Sequence, residues 1–240
     1  VESFQANPNK TLLNIIFAAQ TAKDLGVKKV VLISPYLAFM RQDKRFKDGE
    51  AINAQIMAKI INTYIDKFIT IDPHLHRIRH MDDIFHIPAK NLSANLAISN
   101  FIKKNFKNTI IMGPDWESYQ WAEEISSNLG IKNTVLEKTR HSYRHVDVMM
   151  KNQIDMKDKN VIIVDDIIST GNTMIKAAAT AKSNGAKTIT AIGVHGLFVE
   201  NAYEKMNRYF DNIYTVNTIT HKTNKIDIIP TIVEELNKQI

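Results

Sequence analysis

Four consecutive β-branched residues, Val161–Val164, run directly into two aspartates, Asp165 and Asp166. A run this apolar and this branched suits a strand covered on both faces, the usual state of a strand in a parallel sheet. Ser169, Thr170, Gly171, Asn172 and Thr173 follow, and then a helical pattern over Thr173–Ser183 that closes at Gly185. Read this way, the two carboxylates stand at the carboxyl end of the strand. The loop after them can turn its amides inward around an anion, helped by its hydroxyls and by the positive end of the next helix. Paired aspartates beside such a loop suit the vicinal hydroxyls of a phosphorylated sugar, directly or through a divalent ion with oxygen ligands. The plain alternative is a strand joined to a helix by a common Ser/Thr/Asn cap.

The rest of the chain repeats the alternation. Helical spacing covers Leu12–Leu25, stopped by Gly26, and then Ala51–Tyr64, Asn95–Phe106, Trp121–Leu129, Glu200–Tyr209 and Pro230–Lys238. Strand-like runs fall at Lys28–Ser34, Phe68–Asp72, Thr109–Gly113, Thr134–Glu137, Asn160–Asp165, Thr188–His195 and Asn212–Val216. Strands separated by helices predict parallel sheets with covering helices, whose ligands gather beyond the carboxyl ends of the strands. Lys90–Ser93 interrupts the pattern after Pro88, which favours two sheets over one.

Composition narrows the classes. The 240 residues carry a net charge of +6, with basic residues scattered among acids rather than gathered into a stripe. That argues against nucleic acid and fits an anionic small molecule. The absence of cysteine removes disulfides, thiolate metal sites and a thiol nucleophile, and suits a reducing, cytoplasmic setting. The apolar runs are strand-sized, so no membrane span is expected. The chain opens at Val1 in what reads as the end of a strand, and an N-terminal segment is expected to be missing.

VIIVDDIISTGNT, Val161–Thr173, resembles the phosphoribosyl-pyrophosphate signature of the type I phosphoribosyltransferase fold. Four further segments resemble, in order, those of the ribose-phosphate pyrophosphokinases: SPYLAFMRQDKRFKDGEAI (Ser34–Ile52), IDPHLHRI (Ile71–Ile78), GPD (Gly113–Asp115) and LEKTR (Leu136–Arg140). The resemblance spans nearly the whole chain. It implies an α/β protein of two similar phosphoribosyltransferase-like domains, each a mainly parallel sheet flanked by helices. The first would take residues 1–91 plus a C-terminal helix at 229–240, the second 92–228, with the active site between them. The implied reaction moves the β,γ-diphosphoryl group of ATP to the 1-hydroxyl of ribose 5-phosphate, giving phosphoribosyl pyrophosphate and AMP.

The residue roles that follow are those the resemblance implies. Arg41, Gln42 and Asp43 bind ATP, although RQDKRFKDGE alone reads as a solvated charged loop. His74 and Asp115 serve Mg2+. Alone, an aspartate after Gly-Pro is a turn former, and His76 and His80 complete no zinc set. Lys138 and Arg140 are catalytic, on a segment that composition reads equally well as a surface hairpin. Asp165 and Asp166 hold the ribose, and Ser169–Thr173 the 5-phosphate. Members of the family form homo-oligomers built from dimers. Ser169 stands where the signature commonly has an acid, and Phe39–Met40 where Tyr-Ala is usual. The family's early Phe-x-Asp-Gly-Glu segment, which cradles adenine from a neighbouring subunit, has no match upstream of Val1, so poor ATP binding is expected of these residues alone. Two other functions stay open: a phosphoribosyltransferase that consumes phosphoribosyl pyrophosphate, and a non-catalytic regulatory relative.

Overall fold

A computed structural model describes residues 1–240 other than 6, 76, 79, 141–145, 151–153 and 239–240, and leaves the side chains of 137–140 and 146–150 undescribed. The chain divides into two compact units. One comprises Val1–Ser93, Thr218–Thr220 and Thr231–Ile240; the other comprises Ala94–Asn217 and His221–Pro230.

In the first unit, helix α1 (Pro8–Asp24) starts four residues before the apolar spacing does. Asn7 caps it, its side chain accepting from the Lys10 amide at 3.0 Å, and Pro8 supplies a preset first turn. Gly26, at φ 90°, ends it in the left-handed region. Strand β1 (Val31–Ser34), helix α2 (Asn53–Tyr64) and strand β2 (Lys67–Ile71) form a βαβ unit, with Leu32 opposite Phe68 in parallel register. β1 begins only at Val31, three residues later than expected. The segment after Pro88 needs a second correction. It does not interrupt the sheet: Ala89–Leu92 is strand β3, parallel to β2 at the edge, with Phe68 opposite Ala89. Lys90 and Asn91 are exposed and only Leu92 is buried, so the strand lacks the apolar run that announces a central one.

The second unit contains α3 (Asn95–Asn105), β4 (Thr109–Gly113), α4 (Tyr119–Leu129), β5 (Asn133–Arg140), β6 (Val146–Met150), β7 (Asn160–Ile168), α5 (Asn172–Ser183), β8 (Thr188–Gly196), α6 (Ala202–Met206), β9 (Asn212–Val216) and β10 (Asn224–Ile226), before α7 (Ile229–Asn237). Among the described residues its sheet runs β10-β9-β8-β7-β4-β5-β6, parallel throughout except for the antiparallel β5–β6 pair. Ile162 and Ile163 have no exposed surface, each contributing roughly 1.5–3 kcal/mol by burial. On one face Ala177, Ala178 and Ala181 of α5 pack over Val161, Ile163 and Ala191, small side chains that let the helix lie close to the strands.

Three expectations are revised here. β7 does not stop at the aspartates but continues to Ile168, paired along β8 as far as Gly196, so Asp165 and Asp166 lie inside the strand. The helix expected over Glu200–Tyr209 is reduced to Ala202–Met206, because Phe198, Glu200 and Asn201 all take left-handed φ of 47–57°. β10 was unforeseen: three residues, one of them buried, carry too little periodicity to register.

Candidate active site

Strand order locates the site of the second unit. From β4 the sheet grows outward through β5 and β6, then returns to β7 on β4's other side and proceeds through β8 and β9. The order therefore reverses between β4 and β7, and the carboxyl ends of those two strands flank the crevice where open α/β sheets bind ligands. Asp115 follows β4, and Asp165 and Asp166 lie near the end of β7.

The carboxylates sense one another. The Asp166 amide donates to Asp165 Oδ1 at 3.0 Å. The Asp165 carboxyl is nevertheless raised well above the ordinary carboxylate range, first by desolvation and then by the negative charges of Asp166 and Asp115. Asp166 is buried. Acids crowded in this way favour a proton, a cation or a hydroxyl donor beside them. Asp115 also has structural work: Oδ1 accepts from the amides of Glu117 at 3.1 Å and Ser118 at 3.3 Å, starting a 3-10 turn at Trp116. Gly113 has to precede it, since a Cβ there would stand 3.1 Å from both Ser118 Oγ and Val135 Cγ2.

The loop Ser169–Thr173 leads into α5 through Gly171, which is the helix N-cap at φ 74° and provides no side-chain cap. The start of α5 has no side-chain cap hydrogen bond, and uncapped first-turn amides of this kind can take an anion. A Cβ on Gly171 would come within 2.7 Å of Met206 Sδ and 2.8 Å of its Cγ, so α6 floors the loop. Lys138 and Arg140 lie on the strand adjoining β4, opposite Val148 and Val146 in the β5–β6 pair; their side chains lie outside the described residues. Strands β5 and β6 pair antiparallel on either side of residues 141–145, which lie outside the described residues.

In the first unit, Arg41, Gln42 and Asp43 follow β1, and His74 follows the adjacent β2. Arg41 is exposed. The Gln42 side chain is held by Asn53 Nδ2, which donates to its Oε1 at 2.6 Å, while its Nε2 donates to Glu50 at 3.4 Å. Glu50 also accepts from the amides of Phe46 and Lys47, so RQDKRFKDGE, solvated over residues 44–49, is also organised by hydrogen bonds of its own. Asp43 is buried and paired with Arg77. Beyond β2 the backbone is left-handed at Asp72 (φ 35°) and His74 (φ 49°), where the His74 amide donates to the Asp72 carbonyl at 2.9 Å.

Several participants escaped the sequence reading. Met206 under Gly171, Arg77 on Asp43, the buried His195 at the end of β8 and the parallel stack of Trp116 on Tyr119 (5.3 Å) depend on pairings across the fold. Only His195 had a local sign, a histidine closing an apolar strand run.

Comparison with known proteins agrees with this geometry. The N-terminal domain of ribose phosphate pyrophosphokinase matches residues 1–64, and a phosphoribosyl transferase domain matches residues 80–231. A ribose-phosphate pyrophosphokinase of Pyrococcus abyssi is 34% identical over 236 residues, covering 98% of this chain and 81% of the relative. One of Sulfolobus acidocaldarius is 34% identical over 235 residues, covering 95% and 79%. The crystal structure of phosphoribosylpyrophosphate synthetase from Mycobacterium smegmatis superposes with a TM-score of 0.85 at 23% identity, over 98% of this chain and 79% of that one, which establishes the shared fold.

Proposed function

The chain belongs to the ribose-phosphate pyrophosphokinase family, and from that premise we propose that its residues carry out diphosphoryl transfer from ATP to ribose 5-phosphate. The observation that carries the reading is the pairing of crowded carboxylates, Asp115 just after β4 and Asp165 and Asp166 on β7, with an uncapped, glycine-started loop at the start of the next helix. Few ligands other than a sugar phosphate answer both features at once.

In this reading Asp165 and Asp166 take the vicinal hydroxyls of the ribose, and the amides and hydroxyls of Ser169–Thr173 take its 5-phosphate. That grip fixes the 1-hydroxyl for in-line attack on the β-phosphorus of ATP. The O1–Pβ bond forms, the bond from Pβ to the α,β-bridging oxygen breaks, and AMP leaves with that oxygen. Positioning and charge neutralisation supply most of the rate in such transfers. Arg41 forks onto phosphate oxygens of the nucleotide, with Gln42 and Asp43 shaping the turn that presents it. Lys138 and Arg140 neutralise the charge that gathers on the transferred group.

Magnesium suits the donors present. Among the described residues no three His, Asp or Glu groups form a self-contained metal cage. Magnesium commonly binds through one or two carboxylates together with substrate phosphates and waters. Asp115 and His74 are each assigned as a contact for the ion beside substrate phosphates, and the ion would supply Lewis-acid polarisation of the phosphoryl oxygens. Among the described residues no helix is long and apolar enough to cross a membrane. We assign the protein to the cytoplasm and to a homo-oligomer built from dimers, on family likeness.

A coupled assay for AMP from ATP and ribose 5-phosphate, titrated with magnesium, tests the reading. AMP release that needs both substrates and the metal is expected. ATP-independent consumption of phosphoribosyl pyrophosphate with a free base would instead identify a transferase, and no turnover with either pair a regulatory relative.

A further inference from the structure

The turn that carries Arg41 and the turn that carries His74 belong to different strands, β1 and β2, and one ion pair joins them. Arg77 Nη1 donates to Asp43 Oδ1 at 2.9 Å and to Oδ2 at 3.2 Å. The Asp43 side chain is 2% exposed and that of Arg77 is 45% exposed, so an arginine from the surface reaches inward to a carboxylate withdrawn from water. Among the described residues Arg77 is the partner of that carboxylate. A buried charge that loses its partner is strongly disfavoured, which makes the pair a firm link rather than an incidental surface contact.

What the link joins gives it meaning. Asp43 lies two residues past Arg41, and Arg77 three past His74. The backbone leading to His74 is strained: Asp72 and His74 are both left-handed without being glycine. Such conformations persist only where their surroundings over-determine them. On one side the Asp72 amide is held by the Leu92 carbonyl of β3 at 3.2 Å. On the other side Arg77 anchors the segment to Asp43. The Arg41 turn is likewise held twice, at Gln42 by Asn53 and at Asp43 by Arg77.

We propose that Arg77 is a positioning residue for the nucleotide, locking the Arg41–Asp43 turn and the His74 turn into one register through the buried Asp43 carboxylate. The proposal rests on the diphosphokinase reading for its kinetic consequence, though not for the brace itself. Arg77 need not touch ATP. It acts by fixing the separation of two groups that do, and misplacement of positioning groups by about an ångström can cost up to about a hundredfold.

The test uses the full chain in three forms: Arg77→Ala, Arg77→Lys and the double variant Arg77→Ala/Asp43→Asn. The double variant removes the stranded buried charge, so it keeps the question open to measurement if Arg77→Ala alone fails to fold. Arg77→Ala and the double variant are expected to raise the KM for ATP about tenfold or more, leaving that for ribose 5-phosphate within about twofold. Arg77→Lys, which keeps the charge, should recover most of the loss. Equal rises in both KM values, or an ATP KM unchanged in the double variant, would overturn the proposal. Amide hydrogen exchange separates the brace from the function: exchange at Arg41–Asp43 and Ile71–His74 should quicken together in the double variant. Wild-type protein that releases no AMP would sink the diphosphokinase reading alone, whereas unchanged exchange at both turns would sink the brace.

Discussion

Gly171 and Met206 meet where the phosphate loop crosses α6: a Cβ on the glycine would stand 2.7 Å from the methionine sulfur. The glycine is also left-handed, at φ 74°. Two separate constraints, backbone and contact, therefore disfavour a side chain there. Gly171→Ala is expected to cost about 1–3 kcal/mol from the backbone strain alone, and to raise the KM for ribose 5-phosphate by displacing the amides at the start of α5. Adding Met206→Ala should relieve the contact but lower stability further, because truncating a fully buried methionine costs about 2–5 kcal/mol, and it should restore little of the substrate affinity, because the φ penalty remains. Thermal denaturation and ribose 5-phosphate kinetics on the two variants check this.

Asp165 gives a pH dependence of definite sign. Its folded carboxyl is raised well above the ordinary carboxylate range, chiefly by desolvation and then by Asp166 and Asp115. The folded state therefore holds a proton that the unfolded chain releases, and stability declines as pH rises from about the unfolded value through the folded one. Asp165→Asn removes this ionisation. The variant should gain stability relative to the wild type as pH increases, while losing ribose 5-phosphate binding. Parallel melting temperatures for the two proteins from pH 4 to pH 8 would contradict the assignment.

His221 behaves in the opposite sense. Its ring lies 4.5 Å from Phe198 and 5.3 Å from Tyr203, and its Nδ1 accepts from the Thr223 amide at 3.3 Å. Desolvation and the neighbouring Lys222 lower its pKa below 6.5, partly opposed by Glu204. The neutral ring's contribution is present above the unfolded pKa and lost as pH falls from about 6.5 through the folded value. His221→Phe should flatten the loss of melting temperature between pH 7 and pH 5. An unaltered slope would show that the histidine is not the group responsible.

Lys138 and Arg140 stand on β5 beside β4. If their charges act on the transferred group, Lys138→Ala should cut kcat by about 10²–10³, the scale of losing one preorganised donor in a transition state. Ribose 5-phosphate affinity, measured by calorimetry, should remain nearly intact. Near-normal turnover would remove the lysine from the mechanism.

Much of this site could be read along the chain, because its parts are local. Asp165–Thr173 sits on one βα junction, and Asp115 directly follows a strand. The β7 boundary was misjudged for a physical reason: aspartates are depleted from strands on average, yet β8 pairs with β7 past them as far as Ile168. β3 was missed because an exposed edge strand carries no apolar signature. Arg77 and Met206 were invisible for a different reason. Arg77 lies 34 residues from Asp43, and no spacing rule brings such partners together; only the folded chain does.

The central claim is that the diphosphoryl group passes intact from ATP to the anomeric oxygen of ribose 5-phosphate. 31P NMR of the protein with ATP, ribose 5-phosphate and magnesium tests it most directly. AMP and a sugar bearing both a 5-phosphate and a 1-diphosphate, formed in equal amounts, are expected. Accumulation of ADP with a singly phosphorylated anomeric position, or persistence of both substrates, would contradict it.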